Sequence, residues 1–117
     1  MPAIIETDVK KMQKCIDICN RCMQVCEECL TSCLKEPDAQ ARMKCIQTLR
    51  DCADICSMAA QYMSRGSAFA KQICGLCAEI CEACANECAM FQDNHCKQCA
   101  DVCRQCAQEC RNMVNMQ

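Results

Sequence analysis

Residues 15–33 read CIDICNRCMQVCEECLTSC, with cysteine at Cys15, Cys19, Cys22, Cys26, Cys29 and Cys33. The steps alternate between four and three, the a/d spacing of a heptad, so a helix through this stretch carries sulfur along one whole face. The same register returns twice more, as Cys74, Cys77, Cys81, Cys84 and Cys88, and as Cys96, Cys99, Cys103, Cys106 and Cys110. A further stretch keeps the phase but dilutes it, reading Cys45, Leu49, Cys52, Cys56, Ala59 and Met63. Four helical seams are therefore expected, three rich in cysteine and one poorer.

Helix breakers fall between the seams. Pro37, Gly66 and the polar run Gln92-Asp93-Asn94 divide the chain into helices predicted at about 5–34, 38–64, 67–91 and 94–115. Pro37 suits the first turn of the second helix, Ser67 the N-cap of the third, and Asp93 or Asn94 the N-cap of the fourth. Connections this short favour antiparallel neighbours, which gives an all-α fold: an up-down-up-down four-helix bundle with a cysteine-lined lumen. At 1.5 Å rise per residue the seam from Cys15 to Cys33 runs ~27 Å along that lumen. A chain of 117 residues is expected to form one domain over 1–117.

Composition removes several function classes. Thirteen basic residues against fifteen acidic ones, with a net charge of −2 and a pI near 5.4, leave no basic block to attract nucleic acid. No apolar run approaches the ~18 residues that cross a bilayer, so no membrane partner is expected. Aromatic residues are limited to Tyr62, Phe69 and Phe91, and the core must be built from something else. Nineteen cysteines exceed the roughly 8–10% of residues that already marks a disulfide or metal protein. The N-terminal Met-Pro-Ala-Ile-Ile-Glu-Thr-Asp lacks the features of a signal peptide, and an odd count cannot pair completely within one chain. Reduced thiols in the cytoplasm are the expectation.

Four uses of such a seam compete. As pure packing it is poor, because cysteine forgoes the apolar area of Leu or Phe, worth ~25 cal/mol per Å², and adds susceptibility to oxidation. As a metal site it suits Cu(I): thiolate is a soft ligand, the ion accepts low coordination, and sulfurs one helical turn apart can be bridged. Charge also favours copper. Bridging thiolates allow about one Cu(I) per sulfur and a neutral lumen, whereas separate Zn(Cys)₄ centres would each bury two net negative charges with no cation in the seams. A zinc-buffering, metallothionein-like protein is the alternative in the same class. A thiol reservoir for oxidants is the alternative from another, although helical i,i+4 pairs hold their Cβ atoms farther apart than a disulfide wants. No catalytic role is expected, since the lone histidine stands among many equivalent cysteines and no Gly-rich phosphate loop is present.

These four cysteine-faced segments, from Cys15 to Cys110, resemble the bacterial copper storage proteins. The resemblance implies a homotetramer of bundles that holds many Cu(I) ions through thiolates lining each core, as a retrievable store. It further implies that all nineteen cysteines, Cys15, Cys19, Cys22, Cys26, Cys29, Cys33, Cys45, Cys52, Cys56, Cys74, Cys77, Cys81, Cys84, Cys88, Cys96, Cys99, Cys103, Cys106 and Cys110, match copper-ligating positions. The exported branch of that family carries a twin-arginine leader, which this sequence does not show, so the resemblance is to the cytosolic branch. Cytosolic members tend to have several histidines near one mouth; this sequence offers His95.

His95 precedes Cys96 and should lie at the bundle end shared by Cys33, Cys45 and Cys88, which makes it a candidate ligand as well as a candidate solvated helix-start residue. Met12, Met63 and Met113 extend three seams at the opposite end, as soft donors or as gap-fillers. Off the seams, Ile16, Met23 and Leu30 form one stripe of the first helix and Ile18 with Val25 another. They either widen the buried face or meet a second bundle. Glu27 and Glu28 read as a solvated face.

Overall fold

The structure, a computed structural model, describes residues 3–116. The seams become four helices, α1 (Ala3–Leu34), α2 (Met43–Ser64), α3 (Ala70–Cys88) and α4 (Asn94–Val114), with one short 3-10 turn, Ala39–Arg42, leading into α2. Among the described residues, α1 packs on α2, α2 on α3, α3 on α4 and α4 on α1, while the diagonal pairs make no comparable approach. That is the square cross-section of an up-down-up-down bundle. α1, at 32 residues, sets the long axis of a body measuring 52 × 23 × 20 Å. No helix among the described residues is long and apolar enough to cross a membrane.

The side chains flanking the seams explain how four helices close around so small a residue. One residue after alternate seam positions stands alanine on three helices: Ala53 and Ala60, Ala78 and Ala85, Ala100 and Ala107, all buried. Such small residues let helix axes approach toward the short end of the usual 8–10 Å. On α1 the same positions hold Ile16, Met23 and Leu30, with Ile16 buried and the other two packed part-buried against the core. On the other flank, Val25, Ile55 and Val102 are buried, and Ile18, Ile73 and Ile80 pack part-buried against the core. The apolar stripes of α1 therefore widen this chain's own core. Leu49 and Met63, fully buried on α2, are the largest side chains in the sulfur-rich interior.

The connections depart from expectation at three places, each for a local reason. The predicted start of the second helix at 38 is a turn followed by the 3-10 segment, and α2 proper begins at Met43. α3 begins at Ala70 instead of 67, because the Ser67 hydroxyl accepts the Phe69 N–H at 3.0 Å and its carbonyl accepts that of Ala70, forming a turn before the helix. α3 ends at Cys88, releasing Phe91 to fold back over Arg42. Gly66 is the residue that must be glycine-like: at φ 64° it closes α2, with Ser67 N–H donating to Tyr62 O and Gly66 N–H to Met63 O, the paired bonds of a Schellman motif.

Protonated thiols are neutral and tolerate burial, so this bundle is expected to fold without metal, unlike a zinc finger. Reduced, metal-free protein should give a helical circular dichroism spectrum and a cooperative denaturant transition, and Leu49→Ala should lower its stability by about 2–5 kcal/mol. A random-coil spectrum of the reduced apo chain would contradict this description.

Candidate metal centre

All nineteen cysteines are free and buried, and none is more than 4% exposed. Their pairing follows the antiparallel register. Along the α1–α4 wall, Cys15 meets Cys110, Cys19 meets Cys106 and Cys110, and Cys22 meets Cys103, each at 3.7 Å between sulfurs. The wall continues with Cys26 against Cys99 and Cys103, and with Cys29 and Cys33 against Cys96, at 3.7–3.9 Å. Along the α2–α3 wall, Cys45 meets Cys88 at 3.7 Å, Cys52 meets Cys81 at 3.6 Å, and Cys56 meets Cys77 and Cys81 at 3.7 and 3.6 Å.

The walls touch each other as well. Cys22 reaches Cys52 at 3.9 Å, and across the diagonal Cys52 lies 4.0 Å from Cys103 and Cys56 3.9 Å from Cys106. The seams thus meet on the axis, and the centre of the bundle is filled with sulfur. Sets of four ligand atoms lie within 4.8 Å of one another: Cys26, Cys84, Cys99 and Cys103; Cys22, Cys26, Cys52 and Cys103; and Cys22, Cys52, Cys56 and Cys81 share members, and a further set, Cys19, Cys77, Cys106 and Cys110, is reached from Cys56, which touches Cys77 and Cys106. Cys74 extends the column beside Cys15 and Cys110.

One end of the column carries a different donor. Cys29, Cys33, His95 and Cys96 form a further set, with His95 Nδ1 at 3.4 Å from Cys29 Sγ and 3.6 Å from Cys96 Sγ. His95 Nε2 is buried and makes no hydrogen bond, with Glu36 Oε1 3.5 Å away. The imidazole is therefore aimed at sulfur. At the opposite end, Met12, Met63 and Met113 are buried, and Met12 and Met113 line a cleft of about 250 Å³ with Gly66, Ala70 and Lys71.

Arg42 is the functional neighbour the sequence did not reveal. It lies in the 3-10 turn, off every seam, and is the one charged residue buried among the described residues. Its Nη1 points at Cys33 Sγ (3.8 Å) and Cys96 Sγ (3.6 Å). Asp93, expected as a helix cap, occupies the N-cap position but makes no side-chain cap bond; its Oδ2 accepts from Arg42 at 2.5 Å instead. That pairing holds the Asp93 carboxyl below its ordinary range, chiefly through the hydrogen bond from Arg42.

Touching thiols divide into holders and yielders of protons. Contact with Cys106 and Cys110 shifts Cys19 down, while contact with Cys110 and Cys19 shifts Cys106 up, so that one shared proton serves two sulfurs. Burial dominates at the mouth, where it and the neighbouring Cys33 raise Cys96 to about 12. Metal must displace protons here, and the spacing accommodates it: with bonds of roughly 2.2–2.3 Å, a three-coordinate ion spans sulfurs ~3.9 Å apart and a two-coordinate one ~4.5 Å. Distance alone would also suit tetrahedral zinc. Charge separates them, because thiolate-rich zinc centres need cations and only Arg42 is buried among the described residues.

The copper storage protein family model matches residues 8–115. A curated cysteine-rich protein of Bacillus subtilis, YhjQ, is 46% identical over 84 residues, covering 72% of this chain and 78% of its own. Among solved structures, the Cu(I)-bound copper storage protein BsCsp3 superposes with a TM-score of 0.84 at 45% identity, over 88% of this chain and 97% of that one. A cytosolic copper storage protein from Streptomyces lividans, described with five coppers, gives 0.90 at 36% identity, over 96% and 98%.

The raised Cys96 sets a stability window. In the unfolded chain that thiol ionises near its ordinary 9.0, but in the fold it keeps its proton to about 12. Between those values the unfolded state binds fewer protons, so stability is complete below the lower value and is lost as pH rises toward the upper. Urea midpoints of reduced apo protein should therefore fall from neutral pH to the upper end of that window. An unchanged midpoint would place the thiol in solvent, and one that rises would mean that the fold favours the thiolate.

Proposed function

Since the chain belongs to the copper storage protein family, we propose that it stores Cu(I) in the cytoplasm, holding about one ion per cysteine through thiolates along the bundle axis. The observation that carries this reading is the sulfur-filled axis, where thiols touch in sequence from Cys15 and Cys110 to Cys26 and Cys99 and three of the four-ligand sets share members. Shared sulfurs bridge neighbouring ions, so an added Cu(I) is accommodated with one lost proton and little net charge. All nineteen cysteines and His95 are proposed as ligands, His95 because its Nδ1 faces Cys29 and Cys96. The role is binding without turnover, performed by a single domain over residues 1–117.

The cytoplasmic assignment takes its support from the Streptomyces relative, which is described as cytosolic. Assembly of the chain as a homotetramer, with copper donors and acceptors of unknown identity, completes the proposal. Its support is that Met58 and Leu76 stand 40% and 45% exposed on the outer faces of α2 and α3, where large apolar side chains suit contact with another bundle. Analytical ultracentrifugation should return about four times the 13.1 kDa chain mass; a monomer mass at micromolar protein would remove the tetramer.

Oxygen-free titration of reduced protein, followed by elemental analysis, tests the main claim. Capacity should approach the number of cysteines, nineteen, with Zn(II) saturating at about a quarter of that. Saturation by one or two copper ions would refute storage.

A further inference from the structure

Arg42 joins two connections across one end of the bundle. Its Nε donates to Asp38 Oδ1 at 2.7 Å and its Nη1 to Asp93 Oδ2 at 2.5 Å. Asp38 belongs to the α1–α2 connection and Asp93 to the α3–α4 connection. Phe91, from the second connection, lays its ring 4.4 Å over the guanidinium. The side chain is 6% exposed, and its inner edge rests on Cys33 and Cys96. These two sulfurs end the α1 and α4 seams, and each is 0% exposed.

A tie between loops does not require this placement, since an ion pair on a solvated face would serve as well. Arg42 is instead sunk onto the outermost thiols, where it does two things at once. It obstructs the path to Cys33 and Cys96, and its positive charge opposes the approach of another cation. Neither effect alters how many sulfurs the column contains. Without the guanidinium, Glu36, Asp38 and Asp93 would leave this end negative and attractive to a cation. The two anchors differ in exposure, with the Asp38 side chain at 50% and that of Asp93 at 28%, so the guanidinium can swing outward while still held by Asp38 once its bond to Asp93 is released.

We propose that Arg42 is the gate of the His95 end: latched to Asp93 it closes the sulfur column, and copper passes that end when the guanidinium swings off Cys33 and Cys96. Arg42 is thus a positioning residue that controls the rate of copper exchange and not its capacity. The inference rests on the copper-storage reading of the column.

The test uses full-length Arg42→Met and Asp93→Asn proteins beside the wild type. Reduced apo protein is treated with a bulky thiol reagent and the labelled cysteines are located by mass spectrometry. Copper-loaded protein is mixed with excess chromophoric Cu(I) chelator. Loss of a charge-assisted hydrogen bond from the latch should speed both reactions by about tenfold or more in Arg42→Met, and by less in Asp93→Asn, with copper capacity unchanged. The added labelling should fall on Cys29, Cys33 and Cys96, sparing Cys15 and Cys110 at the far end. General loosening of the bundle would instead label both ends together and track the denaturation midpoint, and that pattern overturns the gate. So do rates within about twofold of wild type. If Arg42→Met does not fold, Asp93→Asn alone decides by the same criteria. A wild-type chain that fails to take up many copper ions would refute storage, while the apo labelling pattern would still decide whether Arg42 closes this end.

Discussion

Contact between sulfur atoms on the bundle axis is the constraint from which the rest of this structure follows. The seams of α1, α3 and α4 deliver a thiol every three or four residues and that of α2 adds Cys45, Cys52 and Cys56, and the antiparallel register sets touching thiols 3.6–4.0 Å apart across neighbouring and diagonal helices. A thiol is short, so four helices whose sulfurs touch must lie close together. Alanine beside the seams of α2, α3 and α4 makes that approach possible, and the branched residues on the other flank supply apolar area that cysteine lacks. The helices are thus held by side chains around the column, leaving the column itself free for chemistry.

A core of this kind exists in two charge states. Protonated, it is a neutral interior that needs no counter-ions. Deprotonated without metal, it would place many negative charges in a dry medium with one buried cation, Arg42, among the described residues, which the fold could not tolerate. Monovalent copper resolves the conflict because it replaces each lost proton with one positive charge and accepts bridging thiolates. The same argument makes a divalent ion with four private thiolates a poor tenant, even though the sulfur spacing would admit it.

Much of this was legible in the sequence, because a heptad of one residue type is an unambiguous periodic signal. The inward face of α2, with Leu49, Ala59 and Met63 standing among its cysteines, could be read from phase alone, and all of these residues are buried. The connections were less legible. Asp93 reads as an N-cap by local rules, yet its carboxylate serves a partner about fifty positions away in the chain, a long-range choice that overrides local preference. Arg42 gave no signal at all: it follows no period, and a lone arginine in a loop is ordinarily solvated. Its burial depends on Phe91 and Asp93 arriving from another connection. The alanines were visible but carried no meaning until the seams fixed which side of each helix they flank.

Storage in the bundle requires copper on its axis. Anomalous scattering from crystals of the Cu(I)-loaded protein would place each ion directly. The predicted result is a file of copper peaks along the axis, running from the level of Cys15 and Cys110 to His95, each bonded to cysteine sulfur from more than one helix. Copper confined to the outer surface, or an axis occupied by disulfide bonds, would contradict it.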